Sequence, residues 1–313
     1  MQIVALDESR DLAVGIADEL GLALSELEQR TFEDGEGKIR PLAPVQGHDL
    51  CIVQSLHSGP RLSAHDKLCR LLFLIATLRD HGAAWITVVV PYLCYARKDR
   101  RTKPQDPITT RYVAQLLETA GCDHIITFEV HNLAAFQNAF RCQTTHLEVG
   151  AAFQDAVAWR ADGAPLVVLS PDPGGVKRAQ LFRETLEERL GQAIGFGFME
   201  KRRSGGVMSV GALAGDFAGR SVVIVDDIIA SGSTMLGAAQ ACRDAGAAKV
   251  FALAAHGLFT GQPQRLFAGD LIDRVLVTDS IAPFRLPDGR ATDRLEIIGT
   301  AALFADTIRD SMS

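Results

Sequence analysis

Two α/β domains are what this sequence predicts, and three observations lead there. Its 313 residues exceed one ordinary domain. Short β-branched runs alternate with helical patterns along the whole chain, and one strand–helix segment occurs twice. Seven runs read as strands: DLCIVQS, WITVVVPY and HIITFEV in the first half, then LVVLSPD, SVVIVDD, VFALAAHG and RVLVTDS in the second. They are apolar on both faces, the pattern of parallel strands covered by helices. Between them, HDKLCRLLFLIATLRDHG and STMLGAAQACRDAG repeat apolar residues at three- and four-residue spacing. Each closes near a glycine, which suits a helix C-cap. Strand–helix–strand alternation implies right-handed βαβ units in open, mainly parallel sheets flanked by helices.

The repeat sets the domain organisation. GHDLCIVQSLHSG, from Gly47, leads to a helix that closes as RDHGAAWITVVVPY from Arg79; GRSVVIVDDIIASG, from Gly219, leads to one that closes as RDAGAAKVFALAAHG from Arg243. Gly219 follows Gly47 by 172 residues and Arg243 follows Arg79 by 164, so the first copy is the longer. Two tandem copies of one domain result, with a boundary near 145–152, written here as 1–148 and 149–313. The closing segment IIGTAALFADTIRDSMS is an amphipathic helix able to pack back on the N-terminal domain.

Composition excludes several classes. With 47% hydrophobic and 22% charged residues the chain fits a soluble protein with large cores. A net charge of -6 argues against nucleic-acid binding through a broad basic face. The six cysteines, at 51, 69, 94, 122, 142 and 242, form no C-x-x-C pair. They read as small buried side chains in a reducing cytosol rather than disulfides or zinc ligands. No run approaches a membrane helix, and MQIVALDESRD lacks the basic start of a signal peptide. The expectation is a cytoplasmic protein with no membrane partner.

The chemistry concentrates at VVIVDDIIASGSTM, Val222 to Met235. In open α/β sheets, ligands bind beyond the carboxyl ends of strands, where Asp226 and Asp227 fall. The residues Ala230, Ser231, Gly232, Ser233 and Thr234 then offer backbone N–H groups and hydroxyls ahead of a helix N-terminus, a phosphate cradle. One end suits ribose hydroxyls, directly or through Mg²⁺, and the other suits phosphate, so a sugar phosphate uses both. The first copy has Gln54-Ser55 in place of the aspartates.

This loop resembles the phosphoribosyl diphosphate (PRPP) loop of type I phosphoribosyltransferases and of ribose-phosphate pyrophosphokinases, and the latter resemblance runs from end to end. It implies two tandem phosphoribosyltransferase-like domains, the first with a degenerate PRPP loop. TFEDGEGKI resembles that family's F-x-D-G-E segment. Phe32, Asp34 and Glu36 are thereby implied to bind adenine and to reach a neighbouring subunit's site; alone, D-G marks only a turn. VVPYLCYARKDRR resembles P-Y-x-x-Y-A-R-Q-D-R, which puts Arg97 on ATP phosphates, flanked by Asp99 and Arg100, with Lys98 where glutamine is usual. TFEVHN resembles D-L-H, making His131 an ATP-side and metal ligand, with Glu129 in place of aspartate. SPDPGGVKRA resembles the diphosphate loop, with Asp172 on Mg²⁺, Gly174 and Gly175 near phosphate, and Arg178 behind them. MEKRRSGG resembles the K-R-R of the catalytic loop, making Lys201 and Arg203 the transition-state cations. His256 reads as structural or supporting.

The resemblance implies diphosphate transfer from ATP to ribose 5-phosphate with Mg²⁺, in at least a homodimer, hexamers being common in the family. Ala230, Glu129 and Lys98 depart from the family pattern, and SGGVMSVGALAGD lacks its N-V-A-E-V, so a divergent member is expected. A non-catalytic or regulatory relative and a PRPP-consuming phosphoribosyltransferase are the alternatives. The ATP-side segments weigh against the second, and the retained cations, His131 and aspartates weigh against the first.

Overall fold

The computed structural model describes residues 1–161, 165–204, 207–286 and 293–311, with side chains throughout except at 159–161, 201–204 and 207–212. In chain order the elements are β1 (Gln2–Ala5), α1 (Arg10–Leu20), β2 (Leu27–Thr31), β3 (Gly37–Pro41), β4 (Asp49–Val53), α2 (Ala64–Asp80), β5 (Trp85–Val90), α3 (Thr109–Ala120), β6 (His124–Phe128), α4 (Leu133–Ala139) and β7 (Gln143–Leu147). There follow α5 (Val149–Ala161), β8 (Leu166–Ser170), α6 (Val176–Leu190), β9 (Gly195–Ser204), β10 (Val207–Ala214), β11 (Ser221–Ile229), α7 (Ser233–Asp244), β12 (Lys249–Gly257), β13 (Arg274–Thr278), β14 (Leu295–Ile298) and α8 (Ala301–Ser311). The chain divides into two compact units, residues 1–147 with 300–313, and residues 148–299.

The first unit is built on a parallel sheet of order β1-β4-β5-β6-β7. The second has the order β10-β9-β8-β11-β12-β13-β14, parallel except for the antiparallel edge strand β10. One topology underlies both, with β1, β4, β5, β6 and β7 matching β8, β11, β12, β13 and β14. Each copy inserts a hairpin after its first helix. In the first unit β2 and β3 pair only with each other, whereas in the second β9 and β10 extend the main sheet.

All seven expected strands are present, and continuous burial explains why they were readable. Leu50, Cys51, Ile52 and Val53 of β4, and Val222 to Val225 of β11, are all buried, as strands covered on both faces should be. Of the strands the sequence pattern does not reveal, β9 and β10 form a longer hairpin where a loop is expected, and others are short or polar. β1 and β14 have four residues each, β7 reads QTTHL, and β2 reads LEQRT.

The repeated R-D-x-G-A-A string has a physical cause. In the first unit Arg79, at the end of α2, donates to the carbonyls of Ala83, Ala84 and Gly121 and pairs with Asp123. Asp123 also accepts from the backbone N–H of Ile86 on β5. In the second unit Arg243, at the end of α7, donates to Ala247, Ala248 and Leu271 carbonyls and pairs with Asp273 at 2.7 Å. Asp273 in turn accepts from Val250 of β12. Each arginine satisfies carbonyls left open where a helix ends and fixes the start of the next strand.

The terminal helices are exchanged between the copies. α8, which follows the second copy's last strand, packs on α1 in the first unit; α5, which follows the first copy's last strand, packs on α6 in the second. Glycine allows both close approaches. A Cβ on Gly15 of α1 would lie 2.9 Å from the Cβ of Ala301, and one on Gly150 of α5 would lie 2.9 Å from Oγ1 of Thr185. Among the described residues no helix is long and apolar enough to cross a membrane. All six cysteines are free thiols, and the expectation that they are buried fails at Cys69, which is exposed on α2. Burial pushes the Cys51, Cys94 and Cys242 thiols up to about 12.

Candidate active site

In the second unit, Asp226 and Asp227 lie in the carboxyl-terminal half of β11, which does not stop at them as the sequence pattern predicts but stays paired with β12 to Ile229. Asp227 is buried and Asp226 nearly so. Arg178, from the first turn of α6, places one guanidinium nitrogen 3.5 Å from Asp226 Oδ1 and 3.6 Å from Asp227 Oδ1. Burial, with the adjacent Asp227 carboxylate adding to it, raises the Asp226 carboxyl well above the ordinary aspartate range; Arg178 opposes that rise. Asp172 contributes further negative charge there.

Asp172 also holds its own loop. Its Oδ1 accepts from Gly174 N–H at 3.0 Å and Gly175 N–H at 3.1 Å, and its carbonyl accepts from Ser170 Oγ at 2.7 Å. A Cβ on Gly175 would stand 3.0 Å from that hydroxyl, so the turn is built for a bare backbone.

Beyond the aspartates, the loop turns at Gly232, whose φ of 80° lies in the left-handed region. A Cβ there would come within 2.6 Å of the buried Leu266, so both conformation and space demand glycine. Gly232, at the N-cap of the α7 that follows, has no side chain to cap it, and of the backbone N–H groups among the described residues Ser231 Oγ meets only that of Ser233, at 3.5 Å. Ser231 and Ser233 lie exposed with their hydroxyls 3.0 Å apart, and Thr234 is half-buried behind them. Ala230 is pinned through its carbonyl, which accepts from Thr260 N–H at 2.8 Å. The predicted cradle is therefore assembled: buried carboxylates at one end, and helix N–H groups with hydroxyls at the other.

In the first unit, Phe32, Asp34 and Glu36 form the exposed tip of the β2–β3 hairpin. Phe32 N–H donates to Glu36 O at 2.8 Å, and Asp34 Oδ1 accepts from Glu36 N–H at 3.0 Å. Arg30 lies 5.2 Å over the Phe32 ring. Arg97, Lys98, Asp99 and Arg100 follow β5, and His131 follows β6, so these residues also stand beyond carboxyl ends of strands. His131, Arg97 and Arg100 are exposed.

Two family models match the chain: the N-terminal domain of ribose phosphate pyrophosphokinase over residues 1–121, and the phosphoribosyl synthetase-associated domain over residues 210–312. It is 35% identical to ribose-phosphate pyrophosphokinase 1 of Listeria innocua over 309 residues, covering 98% of this chain and 93% of the relative. The chain belongs to the ribose-phosphate pyrophosphokinase family. The ribose-phosphate pyrophosphokinase of Caldanaerobacter subterraneus is 33% identical over the same fractions of both chains. Among solved structures, phosphoribosylpyrophosphate synthetase from Mycobacterium smegmatis matches with a TM-score of 0.88 and 30% identity, over 99% of this chain and 98% of that one.

Against that family background the departures acquire structural content. Lys98 Nζ donates to Asp106 Oδ2 at 2.9 Å. Asp106 also accepts from the N–H groups of Thr102 and Lys103 and from the Thr102 hydroxyl, and these bonds hold its carboxyl well below the usual range. Lys98 and Asp106 thus staple the loop that follows Arg97. Glu129 is buried, with φ of 42°, and its N–H donates to Leu147 O at 2.9 Å. A non-glycine residue held there marks local strain, of the kind found beside functional groups. His256 is buried on β12 and shares a 2.9 Å hydrogen bond with Ser280 Oγ, which fits the supporting role expected of it.

The catalytic candidates Lys201 and Arg203 lie on β9, but their side chains fall outside the described residues. His131 and Asp172, paired by the resemblance as metal ligands, belong to the first and second units respectively. Among the described residues no three His, Cys, Asp or Glu side chains gather as a ready metal cage. Asp106 and Asn132 escaped the sequence reading. An asparagine directly before an apolar helical run is an N-cap signal, and it was there to be used.

Proposed function

We propose that this chain transfers diphosphate from ATP to the C1 hydroxyl of ribose 5-phosphate, giving PRPP and AMP. The observation that carries this reading is the β11–α7 loop, which joins two buried carboxylates to an open helix N-terminus. The 5-phosphate binds at Ser231, Gly232, Ser233 and Thr234, where N–H groups and hydroxyls need an anion. The ribose hydroxyls meet Asp226 and Asp227, so the C1 hydroxyl is presented in a fixed direction. On the ATP side, Phe32 stacks on adenine with Asp34 and Glu36 beside it, and Arg97 neutralises phosphate charge.

Lys201 and Arg203 stabilise the charge that grows as AMP leaves. Positioning and charge compensation account for most catalysis in transfers of this type. The donor set also suits Mg²⁺. The hard carboxylates of Asp226 and Asp227 face one guanidinium, the charge of Asp172 acts on Asp226, and a cation would relieve that excess. In the second unit Asp172 is the residue to hold it, and when bound it would neutralise phosphate charge; His131, in the first unit, remains a nucleotide-side candidate. An exposed Phe32 on a hairpin tip supports an adenine site completed by a second copy, hence a homo-oligomer acting in the cytoplasm.

The test is product analysis. Purified protein with ATP, Mg²⁺ and ribose 5-phosphate should yield AMP and PRPP in equal amounts, and excess EDTA should abolish both. ADP as the nucleotide product, or turnover that persists in EDTA, contradicts the reading.

A further inference from the structure

We propose that Asn132 is a positioning residue that locks the ATP-side turn after β5 to the His131 segment after β6. Its amide works at both ends. Oδ1 accepts from Ala135 N–H at 3.1 Å, capping α4, and Nδ2 donates to Asp99 Oδ2 at 2.5 Å. Reversing the amide would set a donor against Ala135 N–H and an acceptor against a carboxylate, so both partners dictate one orientation. Asp99 and Asn132 are half-buried, which strengthens such a charge-assisted bond over an exposed one.

The two segments leave neighbouring strands, Val90 of β5 being paired with Thr127 of β6, and each then has an anchor of its own. The turn from Tyr95 to Lys98 is held by α3: Thr110 Oγ1 donates to Tyr95 O at 3.0 Å and to Lys98 O at 3.2 Å. The His131 segment is held by β7: Glu129 N–H donates to Leu147 O, and Val130 N–H donates to His146 Nε2 at 3.0 Å. Asn132 follows His131, and Asp99 lies two residues after Arg97. Beyond the strand pairing, the Asn132–Asp99 bond therefore fixes how the exposed imidazole and the exposed guanidinium stand toward one another; both face the nucleotide in the reading above, on which this inference rests. Such a link acts through others and touches no substrate.

Three variants isolate it. Asn132→Ser keeps a helix N-cap but is too short to reach Asp99. Asn132→Asp keeps the cap and opposes two carboxylates. Asp99→Asn combined with Asn132→Asp restores an amide–carboxylate bond with its polarity reversed. Steady-state kinetics should show KM for ATP raised about tenfold or more in both single variants, the loss expected for one hydrogen bond to a charged group. KM for ribose 5-phosphate should stay close to wild type, the melting temperature of Asn132→Ser should fall by a few degrees at most with the lost bond, and the double variant should return KM for ATP toward the wild-type value. Unchanged KM for ATP in Asn132→Ser would overturn the inference, as would a double variant that folds normally yet does not recover. Failure of the underlying reading looks different: the wild-type protein itself would show no saturable dependence on ATP.

Discussion

At the carboxyl end of β4 the chain reads Gln54-Ser55; at the matching positions of β11 it reads Asp226-Asp227. In the first place the polar groups are used up internally. Gln54 Nε2 donates to Ser55 O, and Ser55 N–H donates to Ser9 Oγ at 2.9 Å. The helix that follows is closed by a capping box, in which Ser63 Oγ accepts from Asp66 N–H and Asp66 accepts from Ser63 N–H. A carboxylate of the chain thus sits at the N-terminus of α2, where a ligand's phosphate sits at α7 in the proposed complex. Lys67, one residue on, is buried against Glu8 at 2.5 Å. The cavity left there, lined by Asp7, Glu8, Gln54 and Arg70 among others, measures about 130 Å³, against roughly 300–1,000 Å³ for small-molecule pockets. The difference teaches that one scaffold serves both ends: the first copy closes its strand end and helix start with its own side chains, whereas the second places two carboxylates beside Arg178 ahead of a helix whose N-cap is a bare glycine.

The hairpins offer the sharpest way to break that comparison. β2–β3 and β9–β10 occupy matching positions but carry an aromatic tip and two cations respectively. Lys201→Ala should lower kcat by at least about 10²- to 10³-fold, by analogy with loss of one preorganised donor. Phe32→Ala should instead raise KM for ATP and leave kcat nearly unchanged; stopped-assay kinetics distinguish the two. The scaffold should respond alike in both halves. Arg79→Ala and Arg243→Ala should each cost about 2 kcal/mol in urea unfolding, because each strands a paired carboxylate and several carbonyls.

Asp226 tests the cost of crowding carboxylates at a buried site. Its carboxyl is raised, so its contribution to stability is fully present below the ordinary aspartate value and is lost as pH rises through the raised one. Asp226→Asn should therefore melt above wild type at pH 7 without ligand, by about 1 kcal/mol or more. The gap should narrow toward pH 4. The caps give the smallest contrast. Ser63→Ala should cost about 1 kcal/mol of stability, while Ser233→Ala, at a helix whose N-cap is Gly232, should leave stability unchanged and weaken ribose 5-phosphate binding.

The paired Arg79 and Arg243 strings are visible in the sequence because each arginine clamps carbonyls of the turn between its helix and the next strand, which keeps the same short string in both copies. The acidic loop was visible for a related reason, since only glycine fits at Gly232. The edge strands stayed hidden: β7 and the β2–β3 hairpin are polar and half-exposed, so they carry no apolar period. Lys98 was named from its neighbours, and its engagement with Asp106 depends on a loop closure that no spacing rule records. Asn132 was passed over because its partner, Asp99, lies 33 residues away in sequence.

Calorimetric titration of the whole protein with ribose 5-phosphate tests most directly whether acceptor binding is confined to the second copy. One molecule should bind per chain, and Asp226→Asn with Asp227→Asn should remove that binding while the protein stays folded. Two sites per chain, or full binding by the double variant, would contradict the account.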